Sequence, residues 1–348
     1  MAPDLDEIRV TGYSTMSYNE NFMRVGNAGL RRFEVSNHSH FDGNTNAQGV
    51  VQYNRIDWIE VSGNSSVLGN VPGNVLPAAA VFSTSSIGTF MVSSGGRIAD
   101  NISPSWLTAG VLLASEVQSL IVTGQGSVIE RNGAPGGEAG FGSVLSLQLL
   151  EVSDGARVAH NSAPSGNGGF LSVGNSLQTL NITTGGSILD NSAGGSSAAG
   201  AIYIGGDLVK FASISDGAVV ERNRGSTGGF LYVGKMLRGE FKLANSSRIS
   251  ACSAKGSGGA IYVGDSMIGG LHISGGSSLD NNTAEGGDGG AVYAGLSVYN
   301  VTVDSGSSMS GNRAGGSGGG INVKQLLMSF VAKSGASVSG NRAQGNGR

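Results

Sequence analysis

Three groups of side chains in this chain of 348 residues have types and spacings that could do chemistry. Asp100, Arg131, His160, Asp190 and Arg222 recur at intervals near thirty residues. Gathered in one cleft, they would supply acids and a base. Their alternating signs read better as a charge ladder that keeps like charges apart. His38, His40 and Asp42 offer two imidazoles and a carboxylate, a metal-type set if both rings share one strand face. No further ligand motif accompanies them, and a solvated strand is the plainer reading. Tyr203, Tyr232, Tyr262 and Tyr293 recur at the same period. Stacked on an outer face, they would give an aromatic surface for a sugar ring or a protein partner, or would simply stabilise a sheet.

Two catalytic patterns match by accident of glycine abundance. Gly229 to Lys235 spells a phosphate loop, but Met236 stands where the magnesium-binding Ser or Thr is required. Gly315-Gly316-Ser317-Gly318-Gly319 spells a nucleophile elbow, whose triad needs a later His. All four histidines, His38, His40, His160 and His272, precede Ser317. No cofactor or metal is therefore expected, and no catalytic residue is assigned.

These residues sit in a repeat. The pattern apolar-x-x-apolar-x-apolar, then eight residues, then Asn, begins at Leu5, Ile8, Val10 and Asn19. Later copies include Ile87, Phe90, Val92, Asn101 and Leu147, Leu150, Val152, Asn161. An eighth copy, Leu208, Phe211, Ile214 and Asn223, carries one inserted residue, and a ninth, Leu237, Phe241 and Leu243, ends on Cys252 in place of Asn. A tenth reads Ile268, Leu271, Ile273 and Asn282. The spacing gives about twelve units. Before each Asn runs Gly-small-x-apolar-x-x, as in Gly276 to Asn282, and after it comes a Gly-rich link and a second apolar strip such as Gly259-Ala260-Ile261-Tyr262-Val263-Gly264.

Runs of about five residues with near-alternating polarity and β-branched side chains argue for strands. Glycine at 61 positions would weaken any helix. Three such runs per unit predict one coil of a parallel β-helix with three strands per coil, right-handed by the general rule for parallel crossovers. Twelve coils at one strand spacing make a rod on the order of 55 Å long. The Asn column, Asn101, Asn132, Asn161, Asn191, Asn223, Asn282, Asn312 and Asn341, is expected to form a ladder of amides bonding the neighbouring coils. Cys252, in that column, is expected to be a small buried residue. If Ile261 and Val263 point inward, Ala260 and Tyr262 point outward.

Composition narrows the function. Charged residues make up 13 % and the net charge is −3, so the chain has no electrostatic footprint for nucleic acid. One cysteine excludes an internal disulfide framework and a multi-cysteine zinc site. No apolar run approaches the length of a membrane-spanning helix, and the acidic segment Met1 to Glu7 does not read as a signal peptide. Glycosylation sequons such as Asn181-Ile182-Thr183 occur, as chance allows in a serine-rich chain. Residues 1–348 read as a single repeat domain that stops in mid-unit, a fragment without terminal caps. Open coil ends predict end-to-end self-association.

Gly258-Gly259-Ala260-Ile261, Gly289-Gly290-Ala291-Val292 and Phe41-Asp42-Gly43-Asn44 carry a resemblance. They are similar to the tandem Gly-Gly-Ala-(Ile/Leu/Val) and Phe-x-x-Asn tetrapeptides of chlamydial polymorphic membrane proteins and related right-handed β-helix proteins. Gly228-Gly229-Phe230-Leu231 is a degenerate form, and Met309-Ser310-Gly311-Asn312 replaces Phe by an aliphatic residue. The resemblance implies an extracellular or cell-surface rod that adheres to host glycans or surface proteins without being an enzyme. A structural spacer of a wall or matrix, and a polysaccharide lyase or glycoside hydrolase, are the alternatives.

Overall fold

The computed structural model describes residues 5–19, 23–24, 28–46, 50–72, 80–104 and 109–345. Met1 to Asp4 of the acidic N-terminal segment lie outside the described residues. Among those described there is no helix, and every strand pairing is parallel. Each coil stacks on the next, so residues about thirty apart in sequence become neighbours: Val92 pairs with Val122, Val122 with Val152, and Val152 with Ile182. The chain is a parallel β-solenoid.

The apolar-x-x-apolar-x-apolar runs form a long face of nineteen strands from Leu5–Val10 to Phe330–Ala332. The runs before each Asn form a second face of twelve strands, from Thr15–Ser17 to Ser337–Ser339. The division into three runs needs one correction. The strip after the glycines does not make a face of its own but joins the long face. In the middle coils strip and run fuse into single strands, Phe82–Val92, Leu112–Thr123, Gly142–Ser153 and Leu171–Ile182. The third face is instead a set of two-residue strands directly after each Asn, Ser162–Ala163 through Arg342–Ala343.

Apolar side chains of the first two faces meet in one continuous core that no single coil could bury alone. Phe33, Phe82, Phe90, Phe141 and Phe170 touch ring to ring along its N-terminal half, at centroid separations of 5.1 to 5.7 Å. Two units differ from the sequence pattern. The inserted residue in Leu208–Ile214 lets Ala212 pair with Leu180 and Phe241 in the buried column and turns Phe211 out to solvent. In the tenth unit Met267, paired with Leu237 and Val298, is the buried residue, and Ile268 is exposed. Ala260 also differs from expectation, because it is fully buried. Its carbonyl accepts from both Phe230 N and Leu231 N, so the chain bends there and two successive side chains face inward.

The bend explains the Gly-Gly pair. Gly258 sits at φ +68°, and a Cβ on Gly259 would overlap the carbonyl oxygen of Gly290 in the next coil. The first glycine supplies a left-handed turn and the second lets two backbones approach.

Candidate functional site

The asparagine ladder forms as expected and runs from Asn19 to Asn341. In each step the main-chain N–H and the Nδ2 of one Asn both donate to Oδ1 of the next. For Asn132 to Asn161 the distances are 3.1 and 3.0 Å, and for Asn161 to Asn191 both are 3.0 Å. Nδ2 also donates backward to a carbonyl of the preceding coil, Ile98 O for Asn132 and Ile129 O for Asn161. Asn101, Asn191, Asn223, Asn282 and Asn312 are likewise buried, while Asn341 is half-buried. Cys252 fills one rung with its Sγ 3.9 Å from Asn223 Nδ2. Burial pushes its thiol up to about 12, so it is no nucleophile at neutral pH. A second ladder went unread in the sequence. Ser247, Ser277 and Ser307 occupy the small position after glycine, and each hydroxyl accepts the main-chain N–H of the coil before. Recurrence of serine, rather than of any small residue, was the available signal.

The residue just before each Asn lies in a left-handed turn. Asp100, Arg131, His160, Asp190, Arg222, Ala251 and Asn281 all have φ between 52° and 58°. The charged column is therefore carried on a chain of turns that point it outward. Arg131 donates to both carboxylate oxygens of Asp100 at 2.8 Å, and Arg222 to both of Asp190 at 2.9 and 3.0 Å. The hydrogen bonds from Arg222 hold the Asp190 carboxyl below its usual range. Each acid is neutralised by a fork-to-fork partner, an arrangement suited to joining coils rather than to moving protons.

Glu130, next to this column, is almost fully buried and meets three arginines: Arg97 at 3.0 Å, Arg131 at 2.7 Å and Arg157. Desolvation would raise its pKa, but the hydrogen bonds and charges of the arginines prevail and lower it. A carboxylate depressed in the folded state stabilises the fold above its unfolded pKa, near 4.3, and loses that contribution as pH falls through the folded value. The arginines are about two-fifths exposed, so solvent screens the cluster and the contribution is about 1–2 kcal/mol. Glu130→Gln is expected to lower the melting temperature at pH 7 and to flatten its decline below about pH 4. An unchanged melting curve from pH 7 to pH 3 would contradict this role.

His38 and His40 do not share a strand face. The strand is His40–Asp42, and His38 lies in the turn before it at φ 60° with its ring stacked on Tyr13 at 5.1 Å. His40 Nδ1 bonds Ser66 Oγ at 2.7 Å. Among the described residues no three His, Cys, Asp or Glu side chains gather to hold a metal ion. The phosphate-loop look-alike lies on the strand Leu231–Val233, and the elbow look-alike presents Ser317 N to Asp288 Oδ1 at 2.7 Å.

The tyrosines are brought together. Tyr203, Tyr232, Tyr262 and Tyr293 pair in register, with centroids 4.9, 5.0 and 4.8 Å apart and ring planes within 9° of parallel. Lys324 Nζ lies 5.9 Å from the Tyr293 ring and 2.9 Å from Asp288. Each inner ring has both faces covered by its neighbours, so the column presents a ribbon of ring edges and hydroxyls. Burial, then the adjoining phenols, raises the Tyr203 and Tyr262 pKa values, which keeps these hydroxyls neutral donors and acceptors. Comparison with protein-family models, with curated proteins and with solved structures finds no match.

Proposed function

We infer that this chain is a rigid, non-enzymatic rod that binds an extracellular or cell-surface partner, glycan or protein, through side chains repeated at one strand spacing. The observation that supports it is the tyrosine ribbon, four half-buried phenols held in register on the outside of the long face. Tyrosine offers large contact area at low conformational cost, which is why it is enriched where proteins bind. The resemblance of the glycine tetrapeptides to those of surface-displayed β-helices points the same way. The covered ring faces favour a second reading, a spacer whose tyrosines serve only to stiffen the sheet.

The test incubates the purified chain with immobilised polysaccharides and host-cell glycoproteins, and measures retention and released chain ends in the same tubes. Joint replacement Tyr232→Ala, Tyr262→Ala and Tyr293→Ala is expected to reduce retention about tenfold or more. The Phe triple variant keeps the stack and separates lost hydroxyls from lost packing. Retention unchanged by the Ala set in a folded protein would leave the spacer, and new reducing or unsaturated ends would make the protein an enzyme.

A further inference from the structure

The long face carries a groove that the tyrosine ribbon does not use. It starts at Asp6, Arg31, Arg55 and Asp57, continues through Arg55, Asp57, Gly88, Glu116 and Gln118, then through Gln118, Gln148, Gln178 and Lys210, and ends beside Asn175, Asp207 and Lys235. Adjoining compartments share lining residues: Arg55 and Asp57, then Glu116 and Gln118, then Ser176. The depression is therefore continuous along the rod axis. Its two middle compartments hold about 500 and 470 Å³. A wider recess of about 530 Å³ flanks it, and there Gln52 Oε1 is buried without a hydrogen-bond partner among the described residues.

The register explains the lining. Val117 pairs with Leu147 and Leu147 with Leu177, while Ser119 pairs with Leu149 and Leu149 with Thr179. The residues between them, Gln118, Gln148 and Gln178, therefore stand in one column at about one strand spacing, ~4.8 Å. Each primary amide can both donate and accept, and so can each hydroxyl of a sugar. An extended chain of pyranose rings repeats on nearly the same length as the coils. Charge selects among polymers. Arg55 Nε bonds Asp57 at 2.5 Å, Arg31 faces Asp6 at 3.5 Å, and Arg238 bonds Asp207 at 2.7 Å, which leaves Glu116 at one end of the amide column and Lys210 and Lys235 toward the other, charges of both signs and no row of cations. A polyanion would need a row of cations here. A peptide added as a strand would need an open sheet edge, and among the described strands under the groove only Leu5–Val10, at its start, has one, while every strand under the amide column is paired on both sides.

We propose that this groove binds an uncharged, extended polysaccharide chain lying along the rod axis, with Gln118, Gln148 and Gln178 reading successive sugar residues. The proposal deepens the binding-rod reading but stands on different residues, so either can fail alone. The test is calorimetric titration of the full chain with cellohexaose, xylohexaose and mannohexaose, and, in comparison, with polygalacturonate and a glycine–serine dodecapeptide. At least one neutral hexasaccharide is expected to bind, and the joint replacement Gln118→Ala, Gln148→Ala and Gln178→Ala to weaken it at least about tenfold. The tyrosine Ala set should leave this binding unchanged. The three glutamines are outside the core, and an unchanged melting temperature checks that the variant folds. Gln148→Glu, which keeps shape but removes the donors, should also weaken binding. No binding of any neutral hexasaccharide, tighter binding of polygalacturonate or of the peptide, or neutral binding indifferent to the triple replacement would each overturn the proposal. Loss of cell-surface retention in the tyrosine variant with hexasaccharide binding intact would support both readings as separate sites.

Discussion

Replacing Asn161 by alanine is expected to destabilise the fold by about 3–5 kcal/mol, from the loss of partners to several buried polar groups at about 1–3 kcal/mol each. Asn161 Oδ1 is the acceptor for both the main-chain N–H and the Nδ2 of Asn132, and its own Nδ2 serves Ile129 O and Asn191 Oδ1. Truncation leaves the Asn132 main-chain N–H without its acceptor, the Asn132 Nδ2 with Ile98 O alone, and the Ile129 carbonyl without its side-chain donor, all at buried positions. Asn341→Ala removes the same acceptor from Asn312, but at a half-buried position where solvent can replace it. Its effect should stay within about 1 kcal/mol. Urea titration followed by far-ultraviolet circular dichroism would compare the two midpoints. Equal shifts would mean that the amide column adds little beyond the sheet hydrogen bonds.

Gly229→Ala is the second large effect, with an expected loss of about 3 kcal/mol from overpacking. A Cβ at Gly229 would overlap the Gly259 carbonyl oxygen and approach Ser253 N to 2.6 Å. Both obstacles are backbone, so neither can swing aside, and the register between coils must open. The usual entropic gain of Gly→Ala, about 0.4–1 kcal/mol, is too small to offset this. Gly133→Ala is the control, since its nearest atom would be an Ile102 side-chain carbon at 3.7 Å. A Gly133 variant as damaged as the Gly229 variant would show that chain flexibility, not close approach, governs these positions.

The asparagine column was legible because a buried amide that bonds its own copy must recur once in every coil, and Asn132, Asn161 and Asn191 do so at separations of 29 and 30 residues. The tyrosine register was legible for the same reason. The misreadings lie where the backbone departs from regular extension. A pattern of apolar residues cannot tell Phe211 from Ala212 when an extra residue bulges the strand, because size argues for Phe and register for Ala. Strict alternation puts Ala260 outside, and the bend at its shared carbonyl suspends that alternation. The histidine pair failed because His38 lies in a left-handed turn that ends before the strand begins. The groove was invisible because it exists only once the glycine-rich strip and the following run are known to lie on one sheet. Gln118, Gln148 and Gln178, each one residue into its run, then line the floor of a valley.

The ladder also has a direction. In each Asn-to-Asn step the main-chain N–H and Nδ2 donate to the Oδ1 of the coil that follows in sequence, while Nδ2 also donates to a carbonyl of the coil before. A ribosome delivers the N-terminal coils first, each in seconds at about 5–20 residues per second. A coil just folded thus holds out donors for the coil still to come, and the arriving Asn fits one place only. The polarity predicts growth templated from the N-terminal coils, like the lengthening of a fibre from a seeded end. At Cys252 the arriving rung offers Asn223 a sulfur at 3.9 Å instead of an amide oxygen. That step gives the weakest grip, and a nascent chain should pause there before Asn282 and Asn312 resume the run.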